Sequence, residues 1–322
     1  METTSLDDFK VGINMQYDFV PITQRGKLNF PDQKRLAVIP TINLEYWDLI
    51  KDSSEPYYAG GPPILPDALP GNIADFPNFS WREYGQRVGV WRMIKEFDNA
   101  GISPSCTVNA KLIEERWQIV EAAKERNWEL VAHNYEQGDL LTNYAHNPAE
   151  ERNLIEKSLE IYEKSIGRKA KGWLSCSLRG TINTCEILAD NGLIFFCDLM
   201  NDDQPYLINT PKGNIVATPY SIEVNDFTFF SRRGLDTDGA VKLLKEQFDV
   251  LYEESAETGL VMNIGLHPHV AGVPHRIRAL REFLAYAKTY DDIWWPSREE
   301  LAEWYMTCHE THISPKINST KC

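Results

Sequence analysis

The 322-residue chain lacks paired cysteines, long apolar runs and an excess of basic charge, and each absence removes a class of function. Its six cysteines, Cys106, Cys176, Cys185, Cys197, Cys308 and Cys322, contain no Cys-x-x-Cys and no paired spacing. A disulfide framework or a cysteine-ligated zinc site is therefore not expected, and buried thiols are. No stretch approaches the length of a membrane span, and "LAVIPTINL" is too short to cross one. The first residues, "METTSLDDFK", lack the basic-then-apolar order of a secretory signal, which makes the cytoplasm the expected location. A net charge of -14 argues against nucleic acid, whose binding rests on clustered Lys and Arg. No Gly-x-Gly-x-x-Gly or P-loop pattern follows the first apolar strand, so nucleotide-binding folds lose support.

What remains is the composition of a soluble globular protein, with 43% hydrophobic, 11% aromatic and 25% charged residues. Strand-like runs recur: "RLAVIPTINLEYW" (35–47), "SPSCTVNA" (103–110), "WELVAHN" (128–134), "KGWLS" (171–175), "IFFCDL" (194–199), "IVATPY" (215–220) and "LVMNIGLHPH" (260–269). Several are almost continuously apolar, as suits strands buried on both faces of a parallel sheet. Between them lie helical patterns. "YGQRVGVWRMIKEFDNAG" sets Val88, Trp91, Ile94 and Phe97 three apart and ends in glycine. "NPAEERNLIEKSLEIYEKSIG" opens with an Asn-Pro cap. "AKLIEERWQIVEAAKERN", "TDGAVKLLKEQFDVLYEES" and "PHRIRALREFLAYAKTY" complete the set. Alternating strands and helices without a hairpin signal predict a parallel α/β architecture, either a barrel or a doubly wound sheet. Residues 51–83, rich in Pro, Gly and aromatics, read as a long packed loop that could cover a pocket or mediate self-association. Residues 311–322 read as a flexible tail.

Ligands in parallel α/β proteins bind beyond the carboxyl ends of the strands. Those ends carry Asn43 and Glu45, then Asn109, then His133 and Asn134. Later ends carry Asn201, Asp202 and Asp203, then Glu223, Asn225 and Asp226, and finally His267 and His269. Carboxylates, carboxamides and imidazoles on one rim are what acid–base hydrolysis requires. Singly, an Asp or Asn after a strand is more often a turn or helix cap; the coincidence across most strand ends is what points to a site.

Taken in order, "EYGQRVGVWRMIKEFDNAGISPSCTVNA", "VAHN", "GRKAKGWLS", "NDDQPY", "ATPYSIEVNDF" and "GLHPHVAGVPHRIRALREFLAYA" resemble the polysaccharide deacetylase superfamily. They are most similar to its intracellular branch of allantoinase-like enzymes and cyclic imide hydrolases. The resemblance implies one catalytic domain over residues 1–322, built as an irregular (β/α) barrel of about seven parallel strands. It implies hydrolysis of a carbon–nitrogen amide or imide bond in a small molecule, and a homo-oligomer, with a tetramer as one form. Glu45 falls where the sugar deacetylases carry a carboxylate, and Asn43 shares its strand face. His133 matches the first imidazole of the family's His-x-x-x-His metal motif, but Gln137 stands in place of the second. A carboxamide is a poor zinc ligand, so no cofactor is expected, with zinc the one metal to consider. His267, in "GLH", matches the histidine that protonates the departing group.

The expected chemistry is attack of water on a polarised carbonyl. Glu45 or His133 would take the proton, His267 would protonate the leaving nitrogen, and Asn43, Asn225 or a backbone N–H would hold the oxyanion. Arg87, beside Tyr84 and Arg92, is a candidate for gripping a substrate carboxylate or carbonyl. Trp173, Asp202, Asp203, Glu223 and His269 are candidates for the pocket wall, and His275 reads as a bystander. The segment "SCSLRGTINT" departs from the sugar deacetylases and from the allantoinase-like members alike, which counts against a purine-degradation substrate. A metal-dependent sugar N-deacetylase and a non-catalytic ligand-binding relative are the alternatives.

Overall fold

The computed structural model describes residues 16–48 and 76–313. The first apolar run becomes β1 (Leu36–Leu44), buried along its whole length, and the last becomes β8 (Leu260–Leu266), equally buried. Between them in sequence come β2 (Ser105–Val108), β3 (Glu129–Ala132), β4 (Gly172–Trp173), β5 (Phe195–Phe196), β6 (Tyr206–Thr210) and β7 (Gly213–Ala217). The order across the sheet is β6-β7-β5-β4-β3-β2-β1-β8, and a short β9 (Ile293–Trp294) pairs with the start of β1. Register is set by pairs such as Asn43 with Thr107 and Thr41 with Gly265. The strands from β7 through β8 run parallel and curl into an open, irregular α/β barrel of the expected kind.

One departure is the antiparallel pairing of β6 with β7. The segment "NTPKGN" supplies the turn, with Gly213 at a positive φ of 131° that a side chain resists. "IVATPY" is thus the second arm of a hairpin, whose first arm, "YLINT", alternates buried and more exposed residues.

Helices pack outside the sheet: α1 (Phe76–Tyr84), α2 (Val90–Ala100), α3 (Ala110–Glu115), α4 (Trp117–Glu125), α5 (Pro148–Ile166), α6 (Thr184–Asp190), α7 (Thr237–Glu254) and α8 (Ile277–Ala287). The side chain of Asn147 caps α5 by accepting from the Glu150 N–H, and Asp236 does the same for α7 from Gly239. A π-helical turn, Gly85–Gly89, joins α1 to α2. In α2 the buried face is Val90, Met93, Ile94 and Phe97, whereas Val88 and Trp91 are exposed. A strict spacing of three drifts around a helix of 3.6 residues per turn, so only half of the expected stripe faces the core.

A final helix, α9 (Arg298–His312), carries a complete capping box between Ser297 and Glu300. It closes the amino-terminal end of the barrel. Alternation along β1 explains how: Ala37 and Ile39 meet Leu301 of α9 inside, while Leu36, Val38, Ile42 and Leu44 join the core under the outer helices. Each such aliphatic side chain contributes about 1.5–3 kcal/mol when fully buried. Higher on the same inner face, the Arg298 guanidinium donates to Thr41, Asn263, Thr218 and the Pro219 carbonyl. Above it lie Asn43 and Glu45. The inside of the barrel therefore grades from apolar to polar towards its carboxyl end.

The expected loop at 51–83 lies largely outside the described residues; its last part is helical and belongs to α1. Of the expected tail at 311–322, residues 311 and 312 instead belong to α9, with the His312 ring buried between Tyr305 and Gln204, and residues 314–322 lie outside the described residues. Among the described residues no helix is long and apolar enough to cross a membrane. Cys106, Cys176, Cys185, Cys197 and Cys308 are free thiols, the first four of them buried.

Candidate active site

At the carboxyl ends of the strands, inner-face residues converge on a cavity of about 360 Å³. Asn43 and Glu45 after β1, His133 after β3, Asn225, and His267 and His269 after β8 all line it. Strand alternation places Asn43, Glu45, His133 and His267, each an even number of residues beyond an inward-facing neighbour in its strand; Asn225 is held by an isolated bridge to Gly265, and His269 sits in the turn after β8.

Glu45 is the hub. Its Oε1 lies 3.8 Å from His133 Nε2 and 3.6 Å from His267 Nε2, and the side chains of Glu45 and His133 are buried. The backbone around Glu45 is fixed from three sides. Gln86, in the π-helical turn, donates to the Glu45 carbonyl at 2.8 Å; Asn109 Oδ1 accepts from Tyr46 N–H at 2.8 Å; and the Gln137 N–H donates to the Tyr46 carbonyl.

The two imidazoles are set differently. His133 Nδ1 lies 2.5 Å from the Leu174 carbonyl, which can only accept, so the proton sits on Nδ1. Its Nε2 has no hydrogen-bond partner and faces Glu45. His267 Nδ1 donates to Asp226 Oδ1 at 2.6 Å, and the other oxygen of Asp226 accepts the backbone N–H groups of His267 and Ala271. Burial works to lower the His267 pKa, but the Glu45 and Asp226 carboxylates outweigh it and raise the imidazole to about 9. His267 is therefore a cation at neutral pH that presents Nε2–H to the cavity.

Beside them, Tyr220 Oη accepts from Asn43 Nδ2 at 3.3 Å and from Asn225 Nδ2 at 3.2 Å. Neither amide can be turned over. Asn43 Nδ2 also donates to the Leu266 carbonyl, and Asn225 Oδ1 accepts from the Phe227 N–H. With both donors aimed at its oxygen, Tyr220 keeps its own O–H to offer, and burial pushes that phenol up to about 12. The expected oxyanion donors Asn43 and Asn225 thus deliver their N–H groups to a tyrosine. Gly265 leaves the room for this: a Cβ there would stand 2.5 Å from Asn225 Nδ2 and 2.7 Å from Tyr220 Oη.

The walls are aromatic and loop-built. His269 is buried, packed edge-on against Trp47 at 5.2 Å and Trp81 at 4.6 Å. Burial, with the nearby His267 and Arg82 cations, holds it well below the usual imidazole range, so it stays neutral. Opposite, the segment from Ser175 to Gly180 presents Ser177, Leu178 and Arg179 to the cavity. Ser177 and Leu178 both have left-handed backbones, at φ 55° and 57°. Such a conformation persists only when its surroundings enforce it. Asp198 does so, accepting the Ser175 N–H at 2.7 Å and the Gly180 N–H at 2.9 Å. Burial pushes the Asp198 carboxyl up to about 6 against the pull of those donors.

Five expected substrate-binding residues lie elsewhere. Arg87 is exposed on the outer side of the helix and pairs with Glu83. Trp173 points to the outer core, since Leu174 holds the inward position, and its indole N–H donates to Ser175 Oγ. Asp202 binds Arg25 through both oxygens at 2.7 and 2.6 Å. Asp203 borders a separate surface groove along α7. Glu223 is exposed and pairs with Arg233. After β5 the buried carboxylate is Asp198, which holds the Ser175–Gly180 segment without lining the cavity, and the later "NDD" does not line it either. Asp226 was noted at a strand end but given no role, and Tyr220, Arg82, Arg179 and Arg232 were not among the candidates. Of the latter four, Tyr220 alone stood at a strand end where position could have raised it.

Gln137 Oε1 and His133 Nε2 are buried without hydrogen-bond partners, and with Glu45 they make one carboxamide, one imidazole and one carboxylate. Zinc favours thiolate, imidazole and carboxylate ligands, and among the described residues no group of three or more such side chains is arranged to hold one. The donor set does not fit the metal of the sugar deacetylases.

No family model matches the sequence. A Schizosaccharomyces pombe protein assigned to the polysaccharide deacetylases is 29% identical over 251 residues, covering 70% of this chain and 75% of that protein. The crystal structure of the PuuE allantoinase is similar at a TM-score of 0.80 and 27% identity, covering 91% of this chain and 98% of that one. A Pseudomonas aeruginosa PAO1 structure, likewise assigned to the polysaccharide deacetylases, matches at 0.78 and 26%, over 88% of this chain and 95% of that one. In sequence and in fold, the chain is similar to the polysaccharide deacetylase superfamily and, within it, to the allantoinase-like branch.

Proposed function

We propose that the protein hydrolyses a non-peptide C–N bond, an amide or imide, in a small and preferably cyclic molecule. The observation that carries this is the convergence of Glu45 Oε1 with the Nε2 atoms of His133 and His267. Water held between Glu45 and His133 attacks the carbonyl carbon and gives its proton to one of them. The tetrahedral oxyanion takes the Tyr220 O–H. As the C–N bond breaks, His267 passes its Nε2 proton to the departing nitrogen, and Asp226 steadies the ring throughout. Each proton-transfer group supplies about 10²–10⁴-fold, and an oxyanion donor about 10²–10³-fold. These factors suit a strained or activated ring better than an unactivated sugar acetamide. No step needs a metal.

The similarity to proteins assigned as polysaccharide deacetylases supports a second reading, removal of acetyl groups from a sugar. Allantoin, hydantoins, cyclic imides and N-acetyl sugars, each tried with and without added zinc, separate the two. Zinc-independent ring opening is expected. Zinc-dependent deacetylation with no ring opening would replace the first reading by the second. Self-association is part of the proposal, and elution as a 37 kDa monomer would remove it.

A further inference from the structure

The charge of the cavity wall opposes that of the molecule. The chain carries -14, yet among the described residues lining the cavity Glu45 is the one carboxylate, against three arginines. The arginines come from unrelated segments: Arg82 from α1, Arg179 from the loop held by Asp198, and Arg232 from the π-helical turn Phe227–Arg232. Arg82 is buried, its guanidinium 4.7 Å over the Trp47 ring. Arg179 and Arg232 are exposed at the mouth and make no ion pair among the described residues. The contrast with the next residue is instructive, because Arg233 points away and is engaged by Glu223.

Arg179 and Arg232 put two positive charges at the mouth of the cavity, and neither is paired with a carboxylate among the described residues. Both guanidinium groups face solvent, where they raise the local concentration of an anion approaching the cavity. Asp226 does not serve as the counter-charge, since both its oxygens are committed to His267 and the Ala271 N–H. A neutral sugar or a neutral ring offers nothing to offset the arginines. A planar carboxylate does, because the guanidinium fork binds it through two parallel N–H bonds.

We propose that the substrate is anionic: a cyclic amide or imide that bears a carboxylate, held at the mouth by Arg179 and Arg232 while Arg82 faces the ring. This rests on the C–N hydrolase reading and names the class of molecule the same site takes. Ring opening breaks the C–N bond, places the water oxygen on the acyl carbon and protonates the nitrogen. The acyl carbon leaves as a second carboxylate and one proton goes to solvent. The product thus carries one negative charge more than the substrate.

Hydantoin-5-acetate and its neutral amide, hydantoin-5-acetamide, share ring and size and differ in charge. Their binding to the Glu45→Gln variant, followed by calorimetry, tests the proposal without turnover. The acid is expected to bind tighter by about tenfold or more, weakening as salt is raised. That advantage should vanish in the Glu45→Gln protein that also carries Arg179→Gln and Arg232→Gln. Both arginines are exposed, and an unchanged melting temperature would show that the variant is folded. Equal binding of acid and amide, failure of the acid to bind, or an advantage that survives loss of both arginines would overturn the proposal. Turnover by the unmodified protein is scored apart. Arginine-dependent binding of the acid without hydrolysis would sink the hydrolase reading and leave the anion site standing; equal hydrolysis of acid and amide would do the reverse.

Discussion

His267 Nδ1 lies 2.6 Å from Asp226 Oδ1, and this pairing decides which end of the imidazole faces the cavity. Asp226 is fully buried and also accepts two backbone N–H groups, so its carboxylate is fixed in place and fixes the ring. The imidazole is raised from 6.5 to about 9.

The pH dependence follows from that pairing. A histidine raised on folding stabilises fully below its unfolded value of 6.5 and loses that contribution as pH rises through about 9. Activity should show the same limb, falling above an apparent pKa near 9 as the acid loses its proton. In Asp226→Asn the limb should move to lower pH, and kcat should drop. A profile of kcat/KM against pH for both proteins checks this; a limb that stays put would remove His267 as the acid.

Tyr220→Phe removes the proposed oxyanion donor while keeping the ring. A fall in kcat of about 10²–10³-fold with little change in KM is expected. The same change strips the buried Asn43 and Asn225 amides of an acceptor, at a cost of about 1–3 kcal/mol. Steady-state kinetics and a denaturant melt on one preparation read both effects.

Gly265→Ala tests the same cluster by volume. The added methyl would overlap Asn225 and Tyr220, forcing one of them to move. Overpacking of this kind costs about 1–3 kcal/mol. A misplacement of about 1 Å at a reacting group costs up to about 10²-fold in rate. A variant with normal stability and rate would show that the Tyr220 cluster is not tightly packed.

The buried Glu129 accepts from the Arg298 N–H at 2.9 Å, the Glu299 N–H at 2.7 Å, and Ser105 Oγ. It ties the start of α9 to β2 and β3 at the closed end of the barrel. Glu129→Gln replaces one acceptor by a donor facing N–H groups and should cost about 1–3 kcal/mol, without any effect on KM. Urea unfolding measures it.

How far this could be read from the residues depends on the kind of signal. Long apolar strands such as β1 and β8 announce themselves, and so did Glu45, His133 and His267, each placed by its position on a strand end. The hairpin did not, because "NTPKGN" is a weak turn signal between short arms. α9 was missed although Ser297-x-x-Glu300 is a start signal, since its apolar stripe, Leu301, Ala302 and Tyr305, is short. Trp173 was misplaced by a single residue of alternation, which turns a side chain from one sheet face to the other. Arg82, Arg179 and Arg232 lie on helices and loops whose approach to the cavity is set by tertiary packing, and no local pattern marks them.

The central claim is that His267 protonates the leaving nitrogen without help from a metal. Turnover of a cyclic imide or hydantoin by chelator-dialysed protein, measured beside His267→Ala, tests it most directly. The unmodified protein should keep its full rate after dialysis, and the variant should lose about 10²–10⁴-fold. Loss of activity on dialysis with recovery on adding zinc, or an undiminished rate in His267→Ala, would contradict it.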